Sequence, residues 1–147
     1  RLIAVIEFKA LGGPSFGNNA NNRCEEALGS GLDLSVAQRE GLFGAGARPF
    51  VGYCILVEDE DKSRCPPKRG NPSKHFAADP AFKTASYQQR MQILCERMVQ
   101  ERIYTAAAVV ASPPNATKSG RFSDLTTNTS LNKLIAKFVA HIEVEAG

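Results

Sequence analysis

Within Ile3-Ala-Val-Ile-Glu-Phe-Lys9 an otherwise apolar run carries a glutamate and a lysine two residues apart, Glu7 and Lys9. Side chains alternate across a strand, so Glu7 and Lys9 share a face with Ile3 and Val5, while Leu2, Ala4, Ile6 and Phe8 line the other. Charge placed beside Val and Ile is unfavourable unless it is paired or a metal offsets it. Two readings follow: a structural ion pair at a strand end, or part of a catalytic site. Hydrolysis of a phosphodiester needs a hard cation on oxygen ligands and a positioned water. On the catalytic reading Glu7 binds the metal, the Phe8 carbonyl adds a ligand, and Lys9 orients the water or lowers its pKa. The place of the tripeptide, at the end of an apolar strand and before a Gly-rich loop, adds weight to that reading.

Other residues compete for a role. Gly13-Pro14-Ser15-Phe16-Gly17 fits the G-x-S-x-G nucleophile elbow, and Asp124 with His141 completes the order Ser, Asp, His. Against it, an elbow needs a helix straight after its serine, and Gly-Asn-Asn-Ala-Asn-Asn is a poor helix former. Pro14 also fixes φ beside the strained position, and His141 falls on a polar stripe with Lys133 and Lys137. Gly44-Ala45-Gly46 follows a helix and precedes a strand, the reverse of a dinucleotide loop. Asn18, Asn19, Asn22 and Arg23 crowd amides and a guanidinium before a helix. Such groups read base edges, Asn on adenine and Arg on guanine, yet a polar loop with an N-cap explains them equally. Glu25 and Glu26 open the following helix, where the macrodipole favours them, and either is placed to reach back towards Glu7. The run Lys62, Arg64, Lys68, Arg69, Lys74, His75 suits a phosphate backbone or a solvated loop.

The elements that must position these residues alternate. Residues 2–9 read as a strand and residues 10–20 as a Gly/Asn-rich loop. Cys24, Leu28, Leu32 and Val36 recur every four residues, which predicts a helix from about Asn21 to Phe43, weakened in its middle by Gly29 and Gly31. Phe50 to Glu58 is an apolar strand. Ser86 and Gln89 form a capping box for a helix whose stripe is Tyr87, Met91, Leu94, Cys95, Met98 and Val99. Residues 105–111 read as a wholly buried strand. A last helix runs from Leu131 with Leu134, Ile135, Phe138, Val139 and Ile142 on one face. Long polar segments, 59–83 and 112–129, separate these elements. The alternation predicts an α/β domain with a largely parallel core. Three strands make a thin sheet, and the chain opens inside one of them, so further strands are expected upstream.

The bulk numbers set bounds. With 147 residues, 43% hydrophobic and 22% charged, the chain suits one compact domain. A net charge of +3 permits a polyanionic partner without demanding one. The four cysteines show no paired spacing, and Cys24, Cys54 and Cys95 fall in apolar patterns, as reduced residues of a cytoplasmic protein do. No apolar run approaches the ~20 residues that cross a bilayer, and the first is too short for a signal peptide.

The blocks IEFKALGGPSFGNNANNRCEEALGSGLDL, ARPFVGYCILVED and ASYQQRMQILCERMVQERIY together resemble the XhoI-type restriction endonucleases, over nearly the whole chain from Leu2 to about His141. The resemblance implies the PD-(D/E)xK nuclease fold, a central mixed sheet flanked by helices. It implies Mg²⁺-dependent cleavage of double-stranded DNA at the palindrome CTCGAG, leaving 5′-phosphates, by a homodimer. By the same match Glu7 and Lys9 are the (D/E) and K of the motif. Glu7 and the Phe8 carbonyl are then the metal contacts, with Asn18, Asn19, Asn22 and Arg23 as DNA contacts nearby. One departure stands out. The motif's first acid belongs on the preceding strand, and only Arg1 to Ile6 come before Glu7, none of them acidic. The expectation is therefore the larger, C-terminal part of a type II restriction enzyme, lacking its N-terminal portion. The rival is an inactive remnant that binds DNA without cutting it.

Overall fold

In a computed structural model of the chain, residues 1–68, 75, 77 and 79–146 are described. The elements are β1 (Ala4–Leu11), α1 (Phe16–Arg39), β2 (Phe50–Glu58), α2 (Asp61–Arg64), α3 (Tyr87–Gln100), β3 (Ala106–Ser112), β4 (Ser123–Asp124) and α4 (Leu131–Ala146). Short 3-10 turns cover Pro80–Phe82 and Ala116–Lys118. The expected mixed sheet flanked by helices is what forms. Strands lie in the order β1-β2-β3-β4; the first three are parallel, and the two-residue β4 runs antiparallel to β3.

The parallel order advances in one direction, so crossovers of one hand put both connecting helices on one face of the sheet. On that face α1 and α3 bury Leu11, Val51, Tyr53, Ile55 and Val57 against Phe16, Ala27, Met91, Cys95 and Met98. On the other, Leu134 of α4 packs on Phe50, Cys54, Ala106 and Ala108. Except at Leu56, which is exposed, β2 is buried on both sides, as its unbroken Phe-Val-Gly-Tyr-Cys-Ile-Leu-Val run anticipates. The cysteines are unpaired; Cys54 and Cys95 are buried, Cys24 is half-buried and Cys65 is exposed.

The helix after β1 departs from the sequence reading. It begins at Phe16, not near Asn21, and Gly29 and Gly31 do not break it. Phe16 is buried and stacks on Tyr87, ring centroids 5.6 Å apart, and Ala20 is buried one turn later. Those tertiary contacts outweigh the weak helix propensity of the asparagines. The stripe α1 turns inward is also different: Phe16, Ala20, Ala27 and Gly31 are buried, while Leu28 is exposed and Leu32 is 61% exposed. Small residues let the helix lie close to α3 and to Ile103 and Tyr104 in the turn before β3. Likewise Ile135 and Val139 of α4 face outward.

Candidate active site

β1 carries Glu7 and Lys9 into the space beneath α1. Lys9 Nζ lies 3.0 Å from Glu7 Oε1 and 3.0 Å from Glu26 Oε2 of α1. Arg23, one turn before Glu26, places a guanidinium nitrogen 2.9 Å from the same Glu26 oxygen. The four groups form an alternating chain of charge, Glu7, Lys9, Glu26, Arg23. With Glu7 and Lys9 side chains only 19% and 24% exposed, this is no ordinary surface pair. The hydrogen bonds to Glu26 and Glu7 hold the Lys9 ammonium above its usual pKa, against the opposing effect of burial. Lys9 is therefore a cation throughout the neutral range and acts as a charge and hydrogen-bond donor, not as a proton acceptor.

The second oxygen of Glu7 has its own partner. The Tyr104 hydroxyl, just before β3, lies 2.9 Å from Glu7 Oε2 and 2.9 Å from the Ala27 carbonyl of α1. Tyr104 is buried and meets Tyr53 edge to face at 5.4 Å, and Tyr53 stands beside Glu7 across the β1–β2 pairing. Burial, and after it the hydrogen bond to Glu7, pushes the Tyr104 hydroxyl far above the usual phenol range, so it stays a donor. Spacing gives no hint of this contact between residues 97 apart. The only local sign is an aromatic residue with a polar tip in the turn ahead of a buried strand.

The Phe8 side chain points away from this cluster, on the α4 face, and is 69% exposed. Its carbonyl is another matter. Ile3 O accepts from Phe50 N at 2.9 Å, so the odd-numbered residues of β1 bond to β2. In a parallel pair the even-numbered residues then aim their backbone groups at the other edge, which in this sheet order is the outer one. The Phe8 carbonyl thus faces outward between Glu7 and Lys9.

Asn18, Asn19, Asn22 and Arg23 sit inside the first two turns of α1, not on a loop. Asn19 and Arg23 face the β1 end: Asn19 Nδ2 donates to Gly12 O at 3.2 Å, and Arg23 is committed to Glu26. Asn18 and Asn22, four residues apart, are exposed. The loop before the helix is tied down by Gly13 N–H, which donates to Glu58 Oε2 at 2.7 Å.

The hydrolase elbow fails, though not for the reason its sequence suggests. A helix does start straight after Ser15. What is missing is the rest of the triad. Asp124 accepts from Leu131 N at the start of α4 and belongs to β4, three strands from β1, or ~14 Å of sheet. His141 is not on a solvated stripe: its Nε2 lies 3.1 Å from Ile3 O and its ring 5.9 Å from that of Phe50. That is the opposite end of β1 from Ser15. In the basic run, Arg64 is held by both oxygens of Asp59 at 2.8 Å, Lys68 is exposed, and Arg69 and Lys74 lie outside the described residues.

The donors beside Lys9 suit a hard, oxygen-preferring cation in kind: a carboxylate, a backbone carbonyl and a second carboxylate, with no thiol or imidazole among them. The Lys9 ammonium between Glu7 and Glu26 shows that positive charge is favoured at this point. The set is partial, however. Among the described residues no three His, Cys, Asp or Glu side chains gather as a metal centre, nor is any helix long and apolar enough to cross a membrane.

The family model described as restriction endonuclease XhoI matches residues 1–124. Among similar curated proteins, the type II restriction enzyme BstVI of Geobacillus stearothermophilus is 37% identical over 145 residues, covering 99% of this chain and 64% of the relative. The type II restriction enzyme XhoI of Xanthomonas vasicola is 48% identical over 99 residues, 67% of this chain and 39% of the relative. The type II restriction enzyme AbrI of Azospirillum brasilense is 55% identical over 76 residues, 52% of this chain and 33% of the relative. The chain thus spans less than two thirds of the curated relatives it matches. No solved structure matches it.

Proposed function

This chain belongs to the XhoI restriction endonuclease family, and from that premise we propose that it carries the catalytic Glu-x-Lys element of a type II restriction enzyme. The reaction is Mg²⁺-dependent hydrolysis of a phosphodiester in double-stranded DNA, at a palindrome for which CTCGAG is the first candidate. Residues 1–147 act as one nuclease domain, and a two-fold homodimer matches a palindromic target, each copy cutting one strand. The observation that carries the proposal is the Lys9 ammonium held 3.0 Å from the Glu7 carboxylate on one strand face.

Glu7 and the outward Phe8 carbonyl would hold the ion; once bound, it supplies Lewis-acid polarisation of the phosphoryl group and a more acidic water. The chain's own residues do the rest. Lys9 donates hydrogen bonds to the attacking water and to a non-bridging phosphoryl oxygen, where negative charge grows as the P–O bond forms. Glu26 and Arg23 keep that ammonium in place. The attacking water gives up a proton to solvent and the leaving 3′ oxygen takes one up from solvent, so the phosphate remains on the 5′ end. Asn18 and Asn22 present their amides outward for base edges, and Asn19 and Arg23 act at the border of the site.

A second reading, DNA binding without cutting, draws on one observation: the described acids do not complete a metal centre. Glu7→Ala separates the two on a plasmid bearing CTCGAG. For the enzyme, cleavage falls on the order of 10³-fold or more while affinity for DNA without divalent ion persists. Wild-type protein that binds but never cuts, with Glu7→Ala changing nothing, would establish the inactive reading.

A further inference from the structure

A metal ligand works only if its carboxylate is held in the right rotamer and with the right oxygen exposed, which is the task of groups around it. Glu7 has two such groups, and only Lys9 belongs to the family's motif. The other is Tyr104. Its hydroxyl carries one proton between two acceptors, Glu7 Oε2 and the Ala27 carbonyl, each at 2.9 Å. The ring cannot drift. It is buried, packs edge to face on Tyr53, and lies against α1 where Gly31 has no side chain: a Cβ there would come within 3.0 Å of the Tyr104 ring. The position is therefore fixed by three elements at once, α1, β2 and the start of β3. Oε1 of Glu7 is left to face Lys9.

Tyr53 supplies an internal comparison. It is a second buried tyrosine whose ring touches the first, and among the described residues its hydroxyl has no hydrogen-bond partner. Two similar side chains share one pocket, and one alone reaches the carboxylate.

We propose that Tyr104 is the positioning residue for the Glu7 carboxylate, fixing Oε2 so that the remaining lone pairs are presented to the divalent ion; this rests on Glu7 being the metal ligand. Tyr104 does not touch DNA or the ion, and its contribution shows in the metal requirement.

The test compares Tyr104→Phe, Tyr53→Phe and Glu7→Ala with wild type in single-turnover cleavage across a Mg²⁺ series, alongside DNA affinity without divalent ion. Loss of a group supporting a metal ligand typically costs ~10–100-fold in metal affinity or rate. Tyr104→Phe should therefore raise the half-saturating Mg²⁺ concentration by about tenfold or more, with metal-free DNA affinity unchanged and Tyr53→Phe matching wild type. The half-saturation point does not depend on how much protein is folded, so it reads the effect even if Tyr104→Phe lowers stability. Tyr104→Phe with wild-type Mg²⁺ dependence, while Glu7→Ala is dead, overturns the inference and leaves the Glu7 reading standing. An equal shift from Tyr53→Phe also overturns it, by showing that packing alone is responsible. If Glu7→Ala still cuts with unaltered Mg²⁺ dependence, the Glu7 reading itself fails and the role of Tyr104 falls with it.

Discussion

Gly29 and Gly31 lie two residues apart in α1, on nearly opposite sides of the helix, and should respond to alanine with opposite sign. In a helix interior Gly→Ala gains ~0.5–1 kcal/mol, because alanine loses less backbone entropy and covers the backbone better. At Gly29 a new Cβ meets nothing within 4 Å, so the whole gain should appear. At Gly31 the Cβ would fall 2.4 Å from Ile103 Cγ2 and 3.0 Å from Tyr104 Cε2. Carbon atoms rest at ~3.5–4.0 Å, so the first contact is short by more than ~1 Å. Ile103 is branched at Cβ and has little rotamer freedom to yield. Overpacking of this kind costs ~1–3 kcal/mol, which more than offsets the propensity gain. For 147 residues, an unfolding entropy of ~2.1 cal/mol/K per residue makes 1 kcal/mol about 3 °C in Tm. Gly29→Ala should raise Tm by ~2–3 °C and Gly31→Ala should lower it by up to ~6 °C. Differential scanning calorimetry with urea midpoints decides it. A Gly31→Ala variant whose Tm rises with that of Gly29→Ala would refute the claim that Gly31 is a packing glycine, and with it the account of how Tyr104 is kept against α1.

Ser86→Ala should cost about 1 kcal/mol, because Ser86 Oγ caps the Gln89 N–H at 3.2 Å and the Gln89 side chain returns the bond at 2.8 Å. Chemical denaturation reads that loss, and an unchanged midpoint would show that the box is decorative. Lys9→Met should cut the cleavage rate by ~10²–10³-fold, as removal of a preorganised charge does, and it also tests the titration. The folded pKa of Lys9 is raised, so the stability its charge contributes is fully present below the unfolded value of 10.5 and is lost as pH climbs through the higher folded value. The wild-type minus Lys9→Met stability difference should therefore be flat from neutral pH to about 10 and shrink beyond it. A difference that already falls between pH 6 and 8 would contradict the structure.

The legible parts of this fold are those where one local signal dominates. β2 is an apolar run between Pro49 and an acidic stretch, and the strand occupies Phe50–Glu58 as the pattern requires. α3 starts where Ser86 and Gln89 say it should, and buries Met91, Cys95 and Met98. α1 was harder because its inward face is made of Ala20, Ala27 and Gly31, which no scale of hydrophobicity singles out, while its leucines face outward. Its start was hidden because Phe16 is anchored by Tyr87, 71 positions away in sequence, and a local reading sees only asparagine. In the site, Glu7 and Lys9 announce themselves by charge in an apolar strand. Glu26 is one of two glutamates in tandem, and only the helix phase selects it. Tyr104 reaches Glu7 through the fold alone.

On the proposed function, the opening alternatives, ion pair and catalytic group, become two states of one cluster once the charges are counted. Glu7 and Glu26 contribute two negative charges, Lys9 and Arg23 two positive, all within a chain of contacts of 2.9–3.0 Å. By itself the cluster is neutral in charge, which lets it sit half-buried with a reduced desolvation penalty, although Arg23 Nε within it is buried with no hydrogen-bond partner among the described residues. A neutral cluster has little attraction for a phosphodiester, and it offers no surplus charge when more negative charge develops on the phosphoryl oxygens. A divalent cation held at Glu7 would bring the sum to +2, enough to receive one phosphate and still stabilise the extra charge of the transition state. The ion pair then becomes the resting form of the site: it keeps Lys9 charged and near the strand edge until phosphate oxygens compete for its hydrogen bonds. On the proposed function, metal dependence follows from this balance as much as from any motif.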